Sequence, residues 1–302
     1  MSTHLPAIIE TTPEGHGHQD PALPVTQADT DAQLVDLWVR RHESPNTRRN
    51  YRRQAERFMA WIGKPLVTVR LGDLQGYLQT LEGQASATRA AATAALKSLF
   101  TFAQETGFLR FNVGKAVKSP SVKNTLAERI MPETDMLRLI GMEANPRNRA
   151  LLTLLYGGGL RISELCGLCW RDLAERQDGE GQATVYGKGG KTRVVLLSAN
   201  TWRALIGLRG EASPDAPVFL SREGGALDPT QVRRIVKAAA RRAGLSEAIS
   251  PHWFRHAHGS HSLDRGAPIH LVQQTLGHAS VATTGRYLHA RPTDSSARYL
   301  GV

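Results

Sequence analysis

The chain has 302 residues, 41% hydrophobic and 22% charged, ordinary for a globular protein and long enough for two domains with separate cores. Its charge is less ordinary: 38 Lys+Arg against 27 Asp+Glu give +11, which favours a polyanionic partner without choosing among DNA, RNA and an anionic membrane. A signal peptide, a long apolar run and a disulfide framework are all missing from the sequence, which argues against a secreted or membrane-spanning protein and for a reducing cytoplasmic location.

Residues 1–30 hold Glu10, Glu14, Asp20 and Asp29 and no Lys or Arg, a net −4, so the other 272 residues carry +15. This first segment is rich in Pro, Thr, Gly and His and poor in apolar residues, which predicts a disordered acidic tail in which His16 and His18 are solvated. From 31 to 112 the pattern is helical. Leu34, Leu37 and Trp38 fall at helical spacing, and Thr47 is the expected N-cap of a helix carrying Tyr51, Phe58, Trp61 and Ile62. Arg48, Arg49, Arg52, Arg53 and Arg57 occupy its other positions with only Glu56 among them. Such a row can be a solvated face, but its single sign favours a surface that contacts phosphates. A short helix is expected over 69–81 and a longer, Ala-rich one over 86–105, the second with Leu96, Leu99, Phe100 and Ala103 inward and ending at Gly107. Residues 113–128 have no periodicity and read as an interdomain linker, with Lys115, Lys118 and Lys123 suited to crossing a DNA backbone.

Residues 129–302 read as a second domain of mixed pattern. Helices are expected near 132–144, 146–156, 162–173, 199–208, 228–243, 251–264 and 268–276, with a last one around Tyr287. Strands are expected over 182–186 and 192–197, joined by Gly187-Lys188-Gly189-Gly190-Lys191. The fold class is therefore mainly α with a small β-hairpin. Cys166 and Cys169 form a lone CxxC without the further ligands of a zinc site. They sit within a segment that reads as helix, not at the strand-to-helix junction of a redox motif, so small apolar helix residues is the preferred reading.

Chemistry concentrates in five places. Arg161 follows Gly158-Gly159-Leu160, and Arg255 lies in Pro251-His252-Trp253-Phe254-Arg255-His256. Guanidinium groups present paired donors to a phosphate, so these two are candidates for holding one and for stabilising charge that builds on it. Lys188, at the tip of the glycine-rich hairpin, is a candidate general acid. The loop also mimics the end of a Walker A in Gly190-Lys191-Thr192, but Val185 stands where that pattern needs glycine, and phosphate loops open a helix rather than a strand. Ser250 and Pro251 start a helix that displays His252, Arg255 and His256 on nearly one face; His252 can accept or relay a proton, and His278 can donate to a phosphate oxygen. His252, His256, His258 and His261 invite a zinc assignment, yet no HExxH glutamate or nearby carboxylate supports one. Tyr287, nine residues after His278, completes the set. The preceding Thr283-Thr284-Gly285-Arg286 suits a mobile segment carrying a nucleophile.

Together these residues resemble the tyrosine recombinase (phage integrase) family, most like its Xer-type members, over about residues 31–302. The resemblance implies a two-domain architecture: a helical, SAM-like core-binding domain at 31–112 and an α+β catalytic domain at 129–302. It implies site-specific cutting and rejoining of duplex DNA through a 3′-phosphotyrosine on Tyr287, with Arg161, Lys188, His252, Arg255 and His278 as the other catalytic positions. Neither ATP, a metal nor any other cofactor is implied. The implied partners are double-stranded DNA, three further copies of the chain in a tetramer on two sites, and in some systems a paralogous recombinase; alone the chain would be a monomer, associated with the nucleoid. His258 departs from the family pattern, where an apolar or aromatic residue is usual. Two rival expectations are a type IB topoisomerase-like nicking-closing enzyme and a DNA-binding or architectural protein with an idle catalytic set.

Overall fold

In the computed structural model, the described residues are 28–122, 125–187 and 190–290, the side chains of 289 and 290 excepted. The expected acidic tail (save residues 28–30), Lys123, Lys188 and the end of the chain from 291 lie outside them. The chain divides into two units at residues 123 and 124. The expected fold class is borne out: each unit is helical, and the second adds a small antiparallel sheet.

The first unit comprises α1 (Asp31–Arg40), α2 (Pro45–Ile62), α3 (Leu71–Gln79) and α4 (Ser86–Glu105). Its core joins Leu34 and Trp38 of α1, Ala55 and Phe58 of α2, Leu74 and Tyr77 of α3, and Leu96, Leu99, Phe100 and Ala103 of α4. Phe58 meets Tyr77 and Phe100 edge to face, at ring-centroid distances of 5.2 and 6.0 Å. The N-cap of α2 is Ser44 rather than Thr47. Pro45 fits the first helical position, having no N–H to satisfy and φ already set, so the helix starts early and Ser44 Oγ accepts from the Thr47 amide. Both ends of the expected linker are packed. Residues Val113–Ala116 form a 3-10 turn and Val117 joins the first core, its carbonyl accepting from Lys97 Nζ at 2.6 Å. Leu126 and Ile130 belong to the second unit.

The second unit is built around α6 (Pro146–Gly157), whose Ala150, Leu151, Leu152, Leu154 and Leu155 are all buried. Around it lie α5 (Glu133–Gly141), α7 (Ile162–Cys166), α8 (Ala199–Ile206), α9 (Pro229–Arg242), α10 (Pro251–Asp264), α11 (Ile269–Leu276) and α12 (Val281–Ala290). Strands β1 (Leu173–Glu175), β2 (Gly181–Tyr186) and β3 (Thr192–Leu197) pair antiparallel in that order. Ala183, Val185, Val195 and Leu197 face the core, while Tyr186, Val194 and Leu196 are exposed. Tyr186 pairs with Thr192, and beyond that pair the Gly187 amide donates to the Lys191 carbonyl at 2.7 Å.

The helix expected over 162–173 is interrupted. It ends at Cys166, and the chain then runs extended so that Cys169 bridges to Pro217 and the Val218 amide reaches the Leu168 carbonyl. A 3-10 turn at Trp170–Asp172 follows. Cys166 and Cys169 therefore share no helix face, and both thiols are free.

Candidate active site

The site is assembled where α7, β3, α10, α11 and α12 converge. Arg161 is the N-cap of α7, and the carboxylate of Glu164, three residues on, accepts from both its backbone amide and its guanidinium at 2.7 Å. The other side of that carboxylate receives a two-pronged contact from Arg193 of β3, with both N–O distances 2.8 Å. Burial pushes the Glu164 carboxyl up, but the hydrogen bonds from Arg193 and from Arg161 outweigh it and hold the group at about 2. Arg193 Nε also donates to the Thr275 carbonyl at 2.7 Å, and Arg161 to that of Gly277 at 3.1 Å, so both arginines grip the end of α11. Gly277 makes that end possible: its φ of +60° closes the helix in the left-handed region.

Arg255, on α10, is buried and donates to two backbone carbonyls, Gly159 at 2.7 Å and Leu276. Its neighbours include Arg161 and Arg193, with Glu164 as the carboxylate among them. Three guanidinium groups thus share one carboxylate. Burial and the Arg161 charge pull Arg255 down to about 10. The same field acts on the histidines: burial, then Arg255 and Arg161, lowers His278 to about 4. Beside this cluster opens a cavity of about 640 Å³ lined by Arg161, Lys191, Arg193, Gly277 and His278. A buried excess of positive charge facing a cavity is a receptor for an anion.

Tyr287 projects from α12 into this region and is only 5% exposed. The Thr283–Arg286 stretch, expected to be mobile, is helical here, and Thr284 is fully buried. The reason is His278, whose Nδ1 meets the Thr284 hydroxyl at 2.9 Å and draws α12 down. The rings of His278 and Tyr287 stack at 6.2 Å with 19° between planes. On the far side the Tyr287 hydroxyl meets Nδ1 of His256 at 3.1 Å. His252, one turn earlier on α10, stacks on His256 at 6.3 Å and is itself exposed. The phenol is seated against α10 because residue 259 is glycine: a Cβ there would lie 2.7 Å from the Tyr287 ring. Burial raises the Tyr287 hydroxyl, opposed by Arg255 and then Arg286.

Of the residues singled out from sequence, Arg161, Arg255, His278 and Tyr287 are brought together, with His252 at the outer edge; Lys188 lies outside the described residues. Glu164, Arg193 and His256 were not singled out as site residues. A signal existed for the first two, a carboxylate three residues after Arg161 and an arginine in the strand after the glycine-rich turn, but each is also an ordinary surface pattern. The four histidines of α10 face different partners. His258 Nδ1 donates to the Tyr156 carbonyl, and His261 lies between the Tyr156 hydroxyl and the Met131 carbonyl. Among the described residues no group of three or more His, Cys, Asp or Glu is placed to hold a metal ion. In the first unit all five arginines of α2 are exposed, but three are engaged internally: Arg48 donates to carbonyls at the end of α1, Arg52 pairs with Asp36 at 2.6 Å, and Arg53 donates to the Asn50 side chain at 2.8 Å. Lys115 and Lys118 are exposed.

Comparison with known proteins decides the family. Residues 127–294 match the phage integrase family, and residues 32–107 match the phage integrase N-terminal SAM-like domain. The chain belongs to the phage integrase family of tyrosine recombinases. It is 36% identical over 266 residues to tyrosine recombinase XerC of Myxococcus xanthus, covering 81% of this chain and 87% of that one. It is 31% identical over 284 residues to tyrosine recombinase XerD of Corynebacterium glutamicum, covering 85% and 91%. The fold is similar to that of the XerH site-specific recombinase bound to difH substrate in a pre-cleavage complex, with a TM-score of 0.70 and 22% identity over 90% of this chain and 84% of that one. It is also similar to a lambda integrase dimer bound to a COC′ core site, with a TM-score of 0.70 and 18% identity over 88% and 79%. The expected recombinase activity is borne out at the level of the family, and neither rival reading is favoured. No helix among the described residues is long and apolar enough to cross a membrane.

Proposed function

We propose that the chain cuts and rejoins duplex DNA at specific sites through a covalent 3′-phosphotyrosine on Tyr287. The observation that carries this reading is the cluster of Arg161, Arg193 and Arg255 around the single carboxylate of Glu164, beside a buried tyrosine and an open cavity. A scissile phosphate supplies the missing negative charge. In water, ionising a tyrosine at neutral pH costs about 4 kcal/mol, since its hydroxyl titrates about 3 units higher. Arg161 and Arg255 offset that cost by binding the phosphate and the charge that grows on it in the five-coordinate transition state. His278 donates to a non-bridging oxygen. Lys188, between Gly187 and Lys191 in the sequence, protonates the departing 5′ oxygen. His252 stands at the solvent edge of the ring stack and relays protons outward. The ester conserves the energy of the broken bond, so the attacking 5′ hydroxyl of a second strand reverses the step without ATP or metal.

On this reading residues 31–112 form the core-binding domain, 113–128 the connection and 129–302 the catalytic domain. Arg48, Arg49, Arg52, Arg53 and Arg57, with Lys115, Lys118 and Lys123, contact phosphates of double-stranded DNA. The chain is a monomer alone and a tetramer when two sites are synapsed, with or without a paralogous recombinase, and works in the cytoplasm on the nucleoid. The biological outcome is resolution of chromosome or plasmid dimers, or integration and excision of a mobile element.

The test is covalent trapping on nicked suicide substrates carrying candidate sites. Wild-type protein is expected to give a denaturation-resistant protein–DNA adduct that Tyr287→Phe does not form. Binding to a site without any adduct points instead to a DNA-binding role or a required partner recombinase.

A further inference from the structure

We infer that His256 is the base that takes the proton from Tyr287 when the tyrosine attacks. This rests on the proposed function and adds to it a residue outside the set that the family resemblance implies. The argument is geometric. Among the described residues the hydrogen-bond partner of the Tyr287 hydroxyl is His256 Nδ1, at 3.1 Å, within reach for direct proton transfer. The two rings are tilted by 55°, so that hydroxyl and nitrogen meet edge to edge. His278 also flanks the phenol, but its ring lies parallel to it and its Nδ1 is engaged with the Thr284 hydroxyl. His252 is a further ring away, beyond His256 and towards solvent.

For the tyrosine to donate, His256 must be neutral, with its own proton on Nε2. Its surroundings enforce this. Burial disfavours the imidazolium, and the charged and titratable groups that face it, His252 and Arg255 on α10, Arg129 before α5 and Arg286 on α12, oppose a further positive charge and hold it at about 4. His278, on the other side of the phenol, also feels its charge, and the Tyr287 hydroxyl is the titratable group in hydrogen-bond contact with it. The step then balances. The O–H bond of Tyr287 breaks and an N–H bond forms at His256 Nδ1 as the phenolic oxygen bonds to phosphorus; the bond from phosphorus to the 5′ oxygen breaks and that oxygen takes a proton from Lys188. The phosphate that neutralises the arginines also stabilises the imidazolium as it forms. Rejoining runs in reverse, with His256 returning its proton to the departing phenolic oxygen.

A histidine that only anchors the ring would make the same contact, so the test separates the two roles. His256→Asn keeps a hydrogen-bond acceptor for the hydroxyl but cannot carry the proton. Adduct formation is measured from pH 6 to 9 on a suicide substrate and on one whose scissile 5′ oxygen is replaced by sulfur, a leaving group that needs no acid. Wild type is expected to show a flat rate. His256→Asn is expected to be slower by roughly 10²- to 10⁴-fold near neutrality on both substrates, with the deficit shrinking about tenfold per pH unit as free phenolate accumulates. Full rescue by sulfur would make His256 part of the acid's machinery, and a wild-type rate in His256→Asn would make it an anchor; either overturns the inference. If His256→Asn fails to fold, judged by its melting curve, the wild-type profile on the sulfur substrate decides. A tenfold rise per pH unit there means that no base assists, and a flat profile that survives in His252→Asn leaves His256 as the base. Failure of wild type to form any Tyr287-dependent adduct would instead sink the recombination reading itself.

Discussion

Glu164 stands between Arg161 and Arg193 with its side chain only 3% exposed, so replacing it by Gln leaves two inward guanidinium groups without a counter-charge. Breaking a buried pair from one side typically costs about 3 to 5 kcal/mol, and Glu164→Gln should lower stability by an amount of that order at pH 7 in urea unfolding. The loss has a pH signature. The carboxyl sits at about 2 in the folded chain against 4.5 ordinarily, so its contribution is complete above about 4.5 and vanishes as pH falls towards 2. The gap between wild type and Glu164→Gln should therefore narrow below pH 4.5; a constant gap would mean that the glutamate acts through packing alone. The histidines act in an earlier window and with the same sign. His256, His258 and His278 sit near 4 when folded and at 6.5 ordinarily, so the unfolded chain takes up their protons first, and stability is full above 6.5 and declines as pH falls towards 4. A second residue prediction concerns Gly259. A methyl there collides with the Tyr287 ring, and a displacement of about 1 Å of a reacting group can cost about a hundredfold in rate. Gly259→Ala should keep DNA binding and lose adduct formation by that order, measured on the same suicide substrate.

At the scale of elements, the site depends on α11 and β3 being held together. Arg193 does this with three donors: two to Glu164 and one to the Thr275 carbonyl at the end of α11. A lysine keeps the charge but has no planar fork, so Arg193→Lys should loosen α11 from the sheet. The expected outcome is faster amide hydrogen exchange in 269–278, with α2 and α4 of the first unit unchanged; uniform exchange across the chain would remove this role. Helices α4, α6, α9 and α10 and strands β2 and β3 were legible because their apolar spacing, caps and glycine-rich turn are local. The stop of α7 at Cys166 was not, because its cause is the pairing of Leu168 and Trp170 with a segment about fifty residues later. The start of α2 lies one turn before the expected Thr47, at Ser44-Pro45, because Ser44 and Thr47 satisfy the same cap rule and only Pro45 at the first helical position separates them. At the site, Arg161, Arg255, His278 and Tyr287 were legible as motif residues. Glu164, Arg193 and His256 gain their meaning only from α7, β3, α10 and α12 meeting in space, and the helical packing of the Thr283–Arg286 stretch depends on the burial of Thr284, which its polarity argued against.

For the molecule as a whole, the question is where its +11 acts. The two units have separate cores, and the charges of α2 belong to the first. On α2 the arginines fall into two groups. Arg48 holds the end of α1 and Arg52 pairs with Asp36, whereas Arg49, Arg53 and Arg57 have no carboxylate partner among the described residues, Arg53 meeting only the Asn50 side chain one turn back in α2. If α2 follows a DNA backbone, the second group should carry most of its phosphate contacts, each releasing a counterion on binding. Each lost contact flattens the slope of log K against log salt by about one. Replacing Arg49, Arg53 and Arg57 together by Ala should thus flatten the slope by roughly 2 to 3 and leave the melting temperature near that of wild type. Replacing Arg48 and Arg52 should do the reverse, changing the slope less while lowering stability through the lost cap on α1 and the lost ion pair. Fluorescence anisotropy of a labelled duplex at several salt concentrations, paired with thermal melts, separates the two effects. Equal slopes for wild type and the triple variant would mean that α2 faces away from DNA and that its charge serves solubility alone.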